Sequence, residues 1–120
     1  MSDEESISSL QARIQTFSQE RDWDQFHTPK NLIMAATAEI GELAEVLQWK
    51  NDVEADEFLK SQTGRERISE EIADVAIYLI RLCQKLDLNF VEIISEKIAQ
   101  NEVKYPLEKS KGSAKKYTDL

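Results

Sequence analysis

Apolar residues return every three or four positions over most of this chain, in four separate runs. Ile7, Leu10, Ile14 and Phe17 keep that spacing and predict a first helix over 6–21. Asp22-Trp23-Asp24-Gln25-Phe26-His27 interrupts it and reads as a loop. Thr28 then offers an N-cap and Pro29 a first-turn residue, which start a second helix over 29–48. The stretch 49–63 is polar, with room for one short turn between Val53 and Leu59, and Gly64 is expected to break it. A third helix is expected over 65–86. Asp87 or Asn89 caps a fourth over 90–104, with Val91, Ile94, Ile98 and Val103 inward, and Tyr105-Pro106 stops it. Strand-like alternation is absent, and only three Gly and two Pro occur, so an all-α fold is expected. At 120 residues the chain can bury one core. A single domain is expected over 1–106, with a polar, flexible tail over 107–120.

Two of the apolar runs contain acids. Glu39 and Glu42 interrupt the second helix, and Glu71 and Asp74 interrupt the third. With 23 acids in the chain, spacing alone decides nothing, because pairs three apart at 42/45 and 54/57 arise as readily. The neighbourhood decides. Glu54 and Glu57 lie in a polar stretch, whereas the other pairs lie among Leu, Ile, Val and Ala. At about 100° per residue, Ile33, Ala36, Ile40, Leu43 and Leu47 centre the stripe of the second helix. Glu39 then falls on its margin, Glu42 further out on the same side, and Glu45 nearly opposite. Ile68, Ile72, Ala76, Leu79 and Cys83 centre the stripe of the third. Glu71 and Asp74 are displaced to one side of it, with Tyr78 between them in angle. Carboxylates are seldom buried without a partner or a metal. Facing the two margins together would make a cage for a hard divalent cation.

Charge and composition narrow the partners. A net charge of −8 disfavours nucleic acid and anionic membrane as ligands. A phosphate-bearing ligand would need a metal ion and local cations. Cys83, the sole cysteine, lies on an apolar stripe and reads as core, and a reducing cytoplasm suits it. The start, Met1-Ser2-Asp3-Glu4-Glu5, is acidic and leads into no apolar run, so neither a signal peptide nor a membrane span is expected.

Glu and Asp without His favour Mg²⁺, with Mn²⁺ the alternative, over zinc. Such ions clamp phosphate oxygens and activate water. A ferritin-like di-iron site would need two Glu-x-x-His pairs, and His27 is the sole histidine. Lys97, Asn101 and Lys104 repeat at helical spacing and could meet phosphate, with Arg81 and Lys50 as further cations. The plain alternative is a non-catalytic helical nucleotide-binding or interaction module, its acids structural or set against a partner's basic surface.

The ordered set Glu39-x-x-Glu42 and Glu71-x-x-Asp74 resembles the all-α nucleoside triphosphate pyrophosphohydrolases, the MazG-like group, and within it the dCTP pyrophosphatase branch. The same likeness runs through Glu20-Arg21-Asp22-Trp23-Asp24-Gln25-Phe26-His27, Gln48-Trp49-Lys50, Asn101-Glu102-Val103-Lys104-Tyr105-Pro106 and Lys116-Tyr117-Thr118. The resemblance implies a four-helix-bundle-like fold, assembled as a homodimer or homotetramer. It also implies hydrolysis between the α and β phosphates of a nucleoside triphosphate. By the same likeness Glu39, Glu42, Glu71 and Asp74 hold Mg²⁺ and serve catalysis, and Lys97, Asn101 and Lys104 contact phosphate. Trp23, Trp49, His27 and Tyr78 wall the base. One position departs: vertebrate members carry a histidine where this chain has Ile14. A relaxed preference for cytosine is therefore expected.

Overall fold

Ser61 ends one helix and begins the next. Its backbone N–H donates to the carbonyls of Glu57 and Phe58, and its Oγ accepts from the N–H of Gly64 at 3.1 Å. Around this joint the computed structural model, which describes residues 5–120, is helical almost throughout. Met1 to Glu4, most of the acidic start, lie outside the described residues. A first unit ends at Asp87 and holds α1 (Ile7–Glu20), α2 (Pro29–Leu47), α3 (Asp52–Lys60) and α4 (Gln62–Lys85). A second unit, Leu88–Leu120, holds α5 (Phe90–Lys104), the short α6 (Leu107–Ser110) and a 3₁₀ turn at Tyr117–Asp119.

Local chemistry sets the boundaries. Thr28 Oγ1 accepts from the N–H of Asn31 at 3.2 Å, and Pro29 supplies a pre-set φ to the first turn. Asn51 and Glu54 form a reciprocal capping box, at 2.9 Å and 3.1 Å. That box makes α3 a helix of nine residues, longer than the single turn its polar composition suggests. Asn89 Oδ1 caps α5 through the N–H of Glu92.

Gly64 does not break the helix, as its residue type suggests. It lies in the first turn of α4, which starts at Gln62 rather than Arg65. There it is buried, and a Cβ would stand 1.7 Å from the Phe58 carbonyl oxygen. The glycine lets α3 and α4 meet at a tight corner.

Helix α4 is the hub of the first unit. It packs most extensively on α2, then on α3 and α1. Leu32, Ala36, Ile80 and Cys83 are buried, and so are Ser18, Glu71 and Arg81. Burial holds the Cys83 thiol above its ordinary range, which suits a core residue rather than a nucleophile.

The expected stripes hold in part: Ala36, Leu43 and Leu47 on α2 and Ile68, Ala76 and Cys83 on α4 are covered. On α2 the covered positions include Leu32, Ala35, Ala36, Glu39, Leu43 and Val46, while Ile33 and Ile40 are exposed. On α4 Glu71 is buried, while Ile72 and Leu79 are exposed. Both helices carry apolar residues on more than one side, so periodicity alone cannot select the side that meets the partner helix. The consequence is that Glu39 and Glu71 lie within the buried stripes rather than at their margins. Among the described residues no helix is long and apolar enough to cross a membrane.

Candidate metal centre

Glu39 and Glu42 stand one turn apart on α2, and Glu71 faces them from α4. One carboxylate oxygen from each of the three lies within 4.8 Å of the others. The surroundings are graded. Glu42 is exposed, Glu39 half-buried and Glu71 only 5% exposed. Glu71 Oε1 accepts from Arg67 Nε at 3.2 Å, one turn back on α4. Glu71 Oε2 is buried with no hydrogen-bond partner.

An unpartnered buried carboxylate oxygen is costly, and its neighbours are acids rather than donors. Glu39 shows the strain of this arrangement. Its carboxyl is pushed up to about 7, first because Glu71 is close enough to share a proton with it. Burial adds to this, and so do the charges of Glu42, Glu71 and Asp74. Either a proton or a cation must sit among these oxygens.

The donor set fits a hard divalent cation. Oxygens bound at about 2.1 Å in an octahedron stand about 3 Å apart when adjacent and about 4.2 Å when opposite. Three oxygens on one ion include at most one opposite pair, so at least two of the separations, now within 4.8 Å, would close towards about 3 Å on binding. Asp74 is exposed and stands outside the group of three, yet near enough for its charge to act on Glu39 and on Tyr78. Tyr78 is half-buried, its phenol held above its ordinary range by burial and then by the charges of Glu39 and Asp74.

The aromatic candidates separate. Trp23 meets Phe17 edge to face at 5.5 Å and the His27 ring at 6.2 Å. The loop that carries them is tightly bonded. Asp22 takes φ +56°, which Asp tolerates, and the N–H of Trp23 reaches back to the Ser18 carbonyl. Trp49, just past the end of α2, is 87% exposed. Lys97, Asn101 and Lys104 lie on α5 of the second unit, all exposed, at spacings that share a helix face. Lys104 Nζ stands over the Tyr117 ring at 5.1 Å, and Tyr105 meets the same ring edge to face.

Arg81 is not a free cation for phosphate. It is 3% exposed, and its guanidinium pairs with Asp24, donates from Nε to His27 Nδ1 and donates from a terminal nitrogen to Gln84 Oε1. Nothing in the sequence separates it from a surface arginine, because its partners Asp24 and His27 lie more than fifty residues away in the chain. Lys50, the other further candidate, donates to the Val46 carbonyl.

An all-helical unit whose two longest helices face each other through carboxylates defines the class. The chain belongs to the MazG-like family, whose model matches residues 34–120. Over 104 residues it is 43% identical to dCTP pyrophosphatase 1 of Mus musculus, covering 87% of this chain and 61% of that protein. The chain thus spans about three fifths of the mouse relative's length. Against dCTP pyrophosphatase 1 of Bos taurus the identity is 40% over 119 residues, covering 99% of this chain and 70% of the relative. Among solved structures, a pyrophosphatase from Archaeoglobus fulgidus superposes with a TM-score of 0.78 at 36% identity. That match covers 88% of this chain and 97% of the other.

Proposed function

We propose that the protein is a Mg²⁺-dependent nucleoside triphosphate pyrophosphohydrolase. Its substrate is dCTP or a related pyrimidine deoxynucleoside triphosphate, modified ones included, cleaved to the monophosphate and pyrophosphate. The observation that carries this reading is the meeting of Glu39, Glu42 and the almost fully buried Glu71, one carboxylate oxygen of each within 4.8 Å of the others. The relatives bear the name dCTP pyrophosphatase 1, which supports the substrate class.

Glu39, Glu42 and Glu71, joined by Asp74, would hold the ion. When bound, Mg²⁺ neutralises charge on the phosphate oxygens and makes a nearby water more acidic. The protein's own groups do the rest. Arg67 fixes one oxygen of Glu71 and leaves the other without a hydrogen-bond partner. A carboxylate of this group orients the water that attacks the α phosphorus. Lys97, Asn101 and Lys104 offer donors for the phosphates, and Trp23, Trp49, His27 and Tyr78 offer surfaces for the base. A cytoplasmic homodimer or homotetramer would cover Ile33, Ile40 and Ile72, which one copy leaves exposed.

The test is the product pair. Purified protein with Mg²⁺ and dCTP should release dCMP and pyrophosphate in equal amounts, and none in excess chelator. Release of dCDP and inorganic phosphate would reject the bond assignment. A panel of natural and modified triphosphates scored for pyrophosphate then ranks the bases.

A further inference from the structure

A second buried polar cluster lies on the same helix α4, ten residues beyond Glu71, and metal binding makes no use of it. Arg81 is its centre. A charged side chain so nearly excluded from water is sustained only by complete pairing. Each face of this guanidinium has a partner: Asp24 on one terminal nitrogen, Gln84 Oε1 at 2.9 Å on the other, and His27 Nδ1 at 3.1 Å on Nε. Gln84 is held in turn, its Nε2 donating to the Gln11 carbonyl at 2.8 Å. The cluster therefore joins α1, α4 and the loop between α1 and α2.

The contact with His27 has a chemical consequence. An arginine Nε carries a hydrogen and can only donate. Nδ1 of His27 must then be the unprotonated nitrogen, and in a neutral ring the proton sits on Nε2. The charges around the ring favour neutrality: Arg81 lies against it and Lys85 nearby, with Asp24 pairing Arg81 and Lys85 Nζ 4.0 Å from the same Asp24 oxygen. Burial, then Lys85, holds the imidazole below its ordinary range. Among the described residues Nε2 has no partner, and the ring stands at 67° to the indole of Trp23.

We infer that Arg81 is a positioning residue that commits His27 to its neutral, Nε2-protonated form, a fixed donor beside Trp23 for an acceptor atom on the base of a bound nucleotide. The second half of this statement rests on the proposed function; the first does not. A donor of fixed sense gives its hydrogen to a carbonyl oxygen or an unprotonated ring nitrogen, and it opposes a ring N–H. Without Arg81 the imidazole could present either nitrogen as donor, and that sense would be lost.

His27 is the sole histidine, so its ring nitrogens are identified without assignment. Long-range ¹⁵N–¹H correlation spectra of the full chain at pH 7.5, with no nucleotide, should show Nδ1 unprotonated and Nε2 protonated. A proton on Nδ1, rapid averaging of the two forms, or a doubly protonated ring would overturn the inference. Arg81→Met should bring averaging of the two nitrogens. It should also raise KM for dCTP about tenfold, the scale of one buried hydrogen bond, with kcat changed less than about twofold. Arg81→Lys should restore part of both. An unchanged spectrum and KM in Arg81→Met would reduce Arg81 to a scaffold. The wild-type spectrum decides the proton's place even if Arg81→Met does not fold. Absence of turnover with every triphosphate, beside the expected spectrum, would overturn the proposed function and leave the Arg81–His27 assignment standing.

Discussion

Two polar clusters interrupt the α2–α4 core region and its neighbouring loop, and they differ in one respect. Around Arg81 each nitrogen of the guanidinium has its partner. Around Glu71 acids face acids, and one buried oxygen has none. Both clusters bury charge, and both derive from α4. The first draws its partners from the chain itself and fixes geometry. The second is complete only with a cation or a proton. The pairing of opposite charges thus separates the two clusters more sharply than burial does, since Arg81 and Glu71 are almost equally covered.

Activity separates the two clusters most widely. Glu42→Ala and Glu71→Gln should each lower kcat/KM for dCTP by about 10³ or more, the scale of several kcal/mol of lost charge stabilisation. Neither should destabilise the metal-free protein, because each removes one of the mutually repelling charges. A steady-state pyrophosphate assay and a thermal melt in chelator check the two halves. Full activity in both variants would remove the metal centre.

Arg81→Ala should do the reverse to stability. It leaves Asp24, His27 and Gln84 without their donor and opens a cavity. A loss of about 2–4 kcal/mol is expected from urea denaturation, the lower end reflecting the partial exposure of Asp24. A loss below about 0.5 kcal/mol would mean that the network carries no weight.

How much of this was legible beforehand follows from the range of each interaction. Caps are local, so Thr28-Pro29 and Asn89 announce their helices in the sequence. Asn51 and Glu54 could have announced α3 in the same way, had the spacing of a capping box been weighed against the polar composition. Gly64 was misleading because its function depends on the Phe58 carbonyl across a corner, which no residue type encodes. Glu39 and Glu71 stood out as acids in apolar runs. Their depth did not, because Ile33, Ile40 and Ile72 suggested a different buried side. The Arg81 cluster was invisible, since its hydrogen bonds span 54 and 73 residues.

The two tryptophans differ in a similar way, at smaller scale. Trp23 is tied to Phe17 and His27, whereas Trp49 is nearly free. Trp49→Ala should leave stability within about 0.5 kcal/mol. If Trp49 stacks on the base, KM for dCTP should rise about tenfold. An unchanged KM would take Trp49 out of the base site.

Protons offer the finest test, because the two clusters respond to pH in opposite directions. Glu39 in the folded, metal-free protein titrates near 7, above its ordinary value of 4.5. The folded state therefore holds a proton that the unfolded state releases. The stability this contributes is complete below about 4.5 and is lost as pH rises through 7. His27 is shifted the other way, below 6.5. Its contribution is present above 6.5 and is lost as pH falls through the lower folded value. Urea midpoints measured in chelator from pH 5 to 8 should show a fall in Glu39-linked stability, partly masked by the His27-linked rise. Glu39→Gln should remove the fall and uncover the rise alone. Adding Mg²⁺ at pH 8 should restore the wild-type midpoint, since an ion that binds only the folded state stabilises it by mass action. A Glu39→Gln profile that still falls between pH 5 and 7 would show that the shared proton is not among these carboxylates.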